Sequence, residues 1–377
     1  MRYLTSDIIF TAHSAPILDG VVLINDDGEI VKIVQNKSEV EGENLEYFKG
    51  ALCPGFINTH CHLELSHLQN ELPQKTGLPH FINSIGKLRK ADERLKEEAF
   101  KFADNQMSKN GIVAVADISN TADTFATKAN SSLYYYTFIE LFASNPNKAQ
   151  EVFERGLKLS KECTTPNSLT PHANYSVSLP LFKMIKGHNK GEIISIHSQE
   201  TPTEDEMFLE GKGDLLSQLI AKDFFQYTGK TALQSTLPLL PKAPVLLVHN
   251  TFTTKADLTN ALSNYDSLYW CTCPKANLYI ENKLPNYQQF VDADVKMTIG
   301  TDSLASNDTL CILEEMKAIQ PYVSLDVLVR WACKNGAEFL SLESLGTLEK
   351  GKRPGLNHIS HIEGGKLTKE SRVTPLF

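Results

Sequence analysis

The 377 residues contain no Cys-x-x-Cys pair, no run of lysine and arginine, and no apolar stretch longer than a strand. Each absence removes a class of function. The seven cysteines stand at 53, 61, 163, 271, 273, 311 and 333, an odd count that suits buried free thiols in a reducing cytoplasm. A net charge of −8 without a basic run leaves a nucleic-acid backbone with no counterpart, although a pocket for a small nucleoside remains compatible. Strand-sized apolar segments exclude a transmembrane helix, so no membrane partner is expected. Met1–Asp7 offers no basic segment followed by an apolar one, so no secretory signal is expected. Internal repeats and low-complexity linkers are also missing.

What is present is ordinary globular composition, 41% hydrophobic and 22% charged, long enough for a large core. Residues 3–50 read as short strands, with Asp7–Thr11, Val21–Ile24 and Ile30–Val34 rich in β-branched residues and Asp26-Asp27-Gly28 as a hairpin turn. From residue 50 the chain alternates apolar strands with helical segments. A long helical pattern over Leu78–Lys109 stops at Asn110-Gly111. Strands follow at Ile112–Ile118, Tyr134–Phe142, Thr170–His172, Ile193–His197, Val245–His249, Leu268–Cys273 and Val295–Gly300. Helices are predicted over 147–161, from Ser178, at Glu204–Glu206, and over 255–263, 309–319 and 324–340.

This alternation predicts an α/β fold, a (β/α)8 TIM-like barrel over 53–344, with 1–52 and 345–377 forming a small discontinuous β-sandwich domain. A doubly wound sheet is the competitor. It should show a glycine-rich phosphate turn after an early strand, and Gly211-Lys212-Gly213 follows no strand.

The chemistry stands at strand ends. In Pro54-Gly55-Phe56-Ile57-Asn58-Thr59-His60-Cys61-His62-Leu63-Glu64, His60 and His62 lie two apart and so share one face of an extended chain. Ile193–Ile196 ends in His197, with Glu200 three residues on; Val245–Val248 ends in His249; Met297–Thr301 ends in Asp302. In a barrel these ends converge on one face. Any one of these histidines would more often be a packed residue, but all four strand ends together point to a single metal site. Imidazoles with one carboxylate suit zinc or ferrous iron with an open water position. Glu200 is placed to shuttle a proton. His62-Leu63-Glu64 also has the form H-x-E of the cytidine-type zinc deaminases, but the P-C-x-x-C run they require is missing.

Pro54–Leu63, His197-Ser198-Gln199-Glu200-Thr201, Leu247-Val248-His249-Asn250, Cys273-Pro274-Lys275-Ala276-Asn277-Leu278 and Gly300–Asn307 together resemble the amidohydrolase superfamily. The resemblance is closest to the branch of adenosine, S-adenosylhomocysteine and aminodeoxyfutalosine deaminases and chlorohydrolases. It implies one divalent metal held by His60, His62, His197 and Asp302. It also implies Glu200 as proton shuttle, His249 as the group orienting water, and Asp302 sharing a proton with that water. His172, in Pro171-His172-Ala173-Asn174-Tyr175, stands where the deaminases have a substrate-contacting histidine, with Asn174 replacing their usual proline. Glu64 and Arg89 match residues that would face a carboxylate- or ribose-bearing substrate, while Arg89 within Lys87-Leu88-Arg89-Lys90 reads equally as a solvated helix residue. Trp270 is a candidate to stack on an aromatic base.

The expected function is a metal-dependent aminohydrolase, a deaminase of a purine-like heterocycle such as aminodeoxyfutalosine or an adenosine-type nucleoside. Its rivals are a cyclic-amide hydrolase or chlorohydrolase on the same site, and a non-catalytic metal- or ligand-binding barrel. The expected partners are a small heterocyclic substrate and, for self-association, a second copy in a homodimer.

Overall fold

Strands from both chain ends share one mixed sheet. In the computed structural model, which describes residues 1–218 and 224–377, β1 (Arg2–Ile9), β2 (Val21–Ile24), β3 (Ile30–Val34) and β4 (Leu45–Pro54) join β13 (Leu356–Glu363) and β14 (Lys366–Pro375) in the order β14-β13-β4-β1-β2-β3. β4 runs parallel to β1 and antiparallel to β13, so the tail is tied back to the start of the chain.

Between these ends lie two four-stranded parallel sheets with helices after the strands. One holds β5 (Phe56–Cys61), β6 (Ile112–Ser119), β7 (Tyr134–Leu141) and β8 (Asn167–Pro171); the other holds β9 (Ile194–Ser198), β10 (Val245–His249), β11 (Leu268–Thr272) and β12 (Met297–Ile299). Every residue of β5, β9, β10, β11 and β12 is buried. That explains their continuous apolar runs, since a parallel sheet covered on both faces has no reason to alternate.

The sheets meet along two seams that side chains complete. At the first, His60 O accepts from the Thr301 and Asp302 amides, both at 3.0 Å. Thr59 Oγ1 lies 2.7 Å from Thr298 Oγ1, and Asn58 Nδ2 donates to Thr301 Oγ1 at 2.8 Å. Gly300 makes this approach possible: a Cβ there would stand 2.7 Å from His60 Cβ and 2.9 Å from His60 O. At the second seam the Ser195 amide donates to Thr170 Oγ1 at 2.8 Å, and the His197 amide to His172 O at 2.9 Å.

Two helical patterns are split. Leu78–Lys109 is two helices, Leu78–Leu88 and Glu93–Lys109, because the Asp92 side chain accepts from the Arg94 and Leu95 amides and starts a new helix. Residues 324–340 divide into Leu325–Ala332 and Lys334–Phe339. Ser178 stands at the cap position of Leu179–His188, yet its hydroxyl accepts no helix amide. All seven cysteines are free and six are buried. Among the described residues, no helix is long and apolar enough to cross a membrane.

Candidate active site and metal centre

Each strand end that carries a polar residue delivers it to one place. His60 and His62, at and just past the end of β5, lie with His197 of β9 so that one nitrogen from each falls within 4.8 Å of the others. Asp302 Oδ1 stands 3.6 Å from the Nε2 atoms of both His60 and His62, and His62 Nε2 is 3.3 Å from His197 Nε2. Burial, followed by the neighbouring histidines, pushes the pKa of His62 and His197 well below the usual imidazole value, so both rings are neutral and keep a lone pair. Burial opposes the Asp302 charge, but the imidazoles of His60 and His62 beside it hold its pKa below the ordinary carboxylate range.

These residues fit a divalent ion. His60 is completely buried and, among the described residues, neither ring nitrogen has a hydrogen-bond partner, an arrangement costly for an imidazole unless something else binds it. His197 Nδ1 donates to His172 O at 2.9 Å, which leaves Nε2 turned toward the cluster.

The strand ends are bent to serve this convergence. His249 and Asp302 adopt left-handed φ values of 75° and 56°. Such a conformation costs on the order of 1–3 kcal/mol for a side chain with a Cβ and concentrates at functional sites. His249 Nδ1 bonds Asn277 Oδ1 at 2.8 Å, so Nε2 faces Glu200 Oε1 at 3.6 Å. Burial drives the His249 pKa down to about 4. Burial, then the charge of Asp302, raises the Glu200 carboxyl well above its ordinary value. The loop bearing Glu200 is held by Glu204, whose carboxylate accepts from the Gln199 amide at 3.0 Å and the Glu200 amide at 2.7 Å.

Above this floor opens a cavity of about 550 Å³. His62, His172, His197, Glu200, His249 and Asp302 all line it, with Leu65, Leu78, Phe81, Ile82 and Ile85 as an apolar wall. Arg89, Asn120, Glu140, Lys148 and Arg155 form a polar side. His172 bonds Ser176 Oγ at 2.6 Å through Nδ1, and Asn174 is buried with its Oδ1 unpartnered among the described residues.

Three expectations need adjustment. Arg89 is no free surface cation: its guanidinium pairs with Glu64 and donates to Asn120 Oδ1 at 3.0 Å. Glu64 lies behind it, bonded to the Asn120 amide at 3.0 Å and outside the cavity lining, so it positions Arg89 rather than facing the cavity itself. Trp270 is fully buried in the core against Phe290, with ring centroids 5.4 Å apart, and does not line the cavity. Its place in a strand covered on both faces turns it toward the helices.

Glu140 went unnoticed in the sequence. It is the last residue but one of β7, with Leu141 and Phe142 after it, accepts from Asn120 Nδ2 at 2.8 Å, and stands 3.6 Å from His197 Nδ1. Burial lifts its pKa to about 7. A lone acidic residue inside the apolar segment Phe138-Ile139-Glu140-Leu141-Phe142 was the available signal.

The amidohydrolase family pattern matches residues 51–370. Aminodeoxyfutalosine deaminase of Deinococcus radiodurans is 28% identical over 365 residues, covering 89% of this chain and 84% of that one. Adenosine deaminase of Helicobacter pylori is 25% identical over 349 residues, covering 87% and 83%. In fold, the chain is similar to Helicobacter pylori aminofutalosine deaminase in complex with methylthio-coformycin, with a TM-score of 0.81 at 22% identity, covering 99% of this chain and 97% of that one. With the match running from β4 into β14, the chain belongs to the amidohydrolase family.

Proposed function

We propose that this chain deaminates a purine-like nucleoside by hydrolysis, with His60, His62, His197 and Asp302 holding one divalent ion, zinc by preference. The chain is a hydrolase of carbon–nitrogen bonds other than peptide bonds, as its family and its deaminase relatives indicate. One observation carries the finer reading: Glu200, His249 and Asp302 line the same cavity floor as the three-histidine cluster. A protein that only bound metal would have no use for a buried carboxyl beside a buried neutral imidazole.

When bound, the ion supplies Lewis acidity that makes water nucleophilic at neutral pH. The side chains do the rest. His249 Nε2, bare because Nδ1 is engaged by Asn277, orients the attacking water. Asp302 accepts a proton from it. Glu200, with its raised pKa, delivers a proton to the ring nitrogen beside the attacked carbon. The proton held by Asp302 passes to the amine, the exocyclic carbon–nitrogen bond breaks to release ammonia, and the added hydroxyl gives its proton to Glu200 as the ring carbonyl forms. His172 and the Arg89–Glu64 pair contact the substrate's ring and its polar appendage respectively, the latter through Arg89.

We also read the two parallel sheets as one (β/α)8 barrel. The bridges Cys61–Asp302 and Ala173–His197 across the seams support this. The strands of 1–52 and 345–377 are then a separate β domain.

Ammonia release from purine nucleosides and pterins, chloride release from chlorinated triazines and ring opening of cyclic amides, assayed side by side, test the reaction. Turnover of an adenosine-type nucleoside is expected. Turnover confined to cyclic amides or chlorotriazines would replace the deaminase reading with its rivals.

A further inference from the structure

Beneath the histidine pair lies a charge pair that the chemistry above leaves unused. Asp117, near the end of β6, and Lys128, on the short helix Phe125–Ala129, have wholly buried side chains and form an ion pair. Lys128 Nζ also donates to Ser119 Oγ at 2.8 Å and Thr137 Oγ1 at 3.3 Å. Removing two charges from water is seldom repaid by their attraction, so stability alone does not account for such a pair.

Its other contact does. Asp117 Oδ1 accepts from the Leu63 amide at 2.8 Å. Leu63 opens the 3-10 turn Leu63–Leu68, and the cap position of that turn is His62. The first amides of a helical turn have no partner within it, and His62 provides no side-chain cap because its imidazole faces Asp302. Asp117 caps the turn from the neighbouring strand instead. An ionised acceptor makes a shorter and stronger bond than a neutral one, and Lys128 is the means of keeping it ionised in a dry setting.

We propose that Asp117, held by Lys128, is a positioning residue for His62. It fixes the direction of the chain immediately past the imidazole, so that His60 and His62 converge before any ion is present. This rests on the assignment of His62 as a ligand.

Two double variants remove both charges together, so neither strands a buried charge. Asp117→Asn with Lys128→Met keeps an acceptor for Leu63; Asp117→Leu with Lys128→Met does not. Zinc affinity is measured by competition with a chromophoric chelator, and Leu63 amide exchange is measured in metal-free protein. The leucine variant should bind zinc about 10–100-fold more weakly, and the asparagine variant should stay within about threefold of the parent. The Leu63 amide should exchange at least about tenfold faster in the leucine variant only. Equal zinc affinity in both variants overturns the proposal. Should the leucine variant fail to fold, the parent protein decides: a Leu63 amide as slow as those of β6 supports the cap, and one exchanging at a free-turn rate refutes it. A parent that takes up no zinc overturns the ligand assignment, and Leu63 exchange then decides the cap by itself.

Discussion

Glu200 Oε1 lies 3.6 Å from His249 Nε2, and both side chains are almost wholly buried at the floor of the cavity. Neither is among the four side chains read as ligands, so the two can be altered without emptying the site. Replacing Glu200 with Gln should leave metal content unchanged and lower kcat by about 10²–10⁴-fold. Metal analysis beside steady-state kinetics checks this, and near-normal turnover would sink the proton-transfer role.

Asn277 governs which nitrogen of His249 is free. Its Oδ1 engages His249 Nδ1 at 2.8 Å. Asn277→Leu should therefore cost up to about 100-fold in kcat through misplacement of the ring, with little change in zinc content. Imidazole ¹⁵N shifts should report a mixture of tautomers in the variant and one tautomer in the parent.

Chelation should give an inactive protein, and added zinc should restore activity at about one ion per chain. Two ions per chain would contradict a single centre. Free zinc at 100 times its Kd should raise unfolding stability by about 2.7 kcal/mol, read as an increase in Tm.

Gly300→Ala should force β12 away from β5, because the added carbon would meet His60 Cβ and His60 O. A loss of about 1–3 kcal/mol in urea unfolding is expected, together with weaker zinc binding. Unchanged stability would mean that the first seam yields without penalty.

Glu315 supplies a pH signature away from the metal. It is completely buried, and accepts from the Lys275 amide at 2.8 Å and Asn307 Nδ2 at 2.7 Å. Burial raises its pKa to about 8, from 4.5 in the unfolded chain. Between those values the folded state holds the extra proton, so the contribution to stability is complete below 4.5 and is lost as pH rises through 8. The stability of the parent relative to Glu315→Gln should fall steadily across that window in urea melts. A pH-independent difference would refute the shift.

The sequence was most informative where parallel strands are covered on both faces. In Val245–His249 a single polar residue closes an apolar run, and in Met297–Asp302 the only charged residue stands last, so its meaning is plain. Asp117 and Glu140 are likewise lone acidic residues in strands, but Ile118 follows the one and Leu141-Phe142 the other, so neither stands out as a strand end. Trp270 shows the reverse difficulty: a doubly covered strand has no alternation to tell which residues face the site. The break at Arg89–Asp92 was hidden because only Asp92 departs from the helical pattern. Asn277 and Gly300 gain their importance from partners many residues away, which no local pattern records.

His60 and His62 belong to one parallel sheet, His197 and Asp302 to the other or its immediate end. During synthesis the first pair leaves the ribosome long before the second, and two imidazoles alone make a weak chelate. Tight capture of the ion must wait until β12 has been made and set against β5. On the proposed ligand set, metal loading is therefore a late step in the maturation of this chain, and a truncated product ending before Asp302 would compete poorly with the finished protein for a scarce divalent ion.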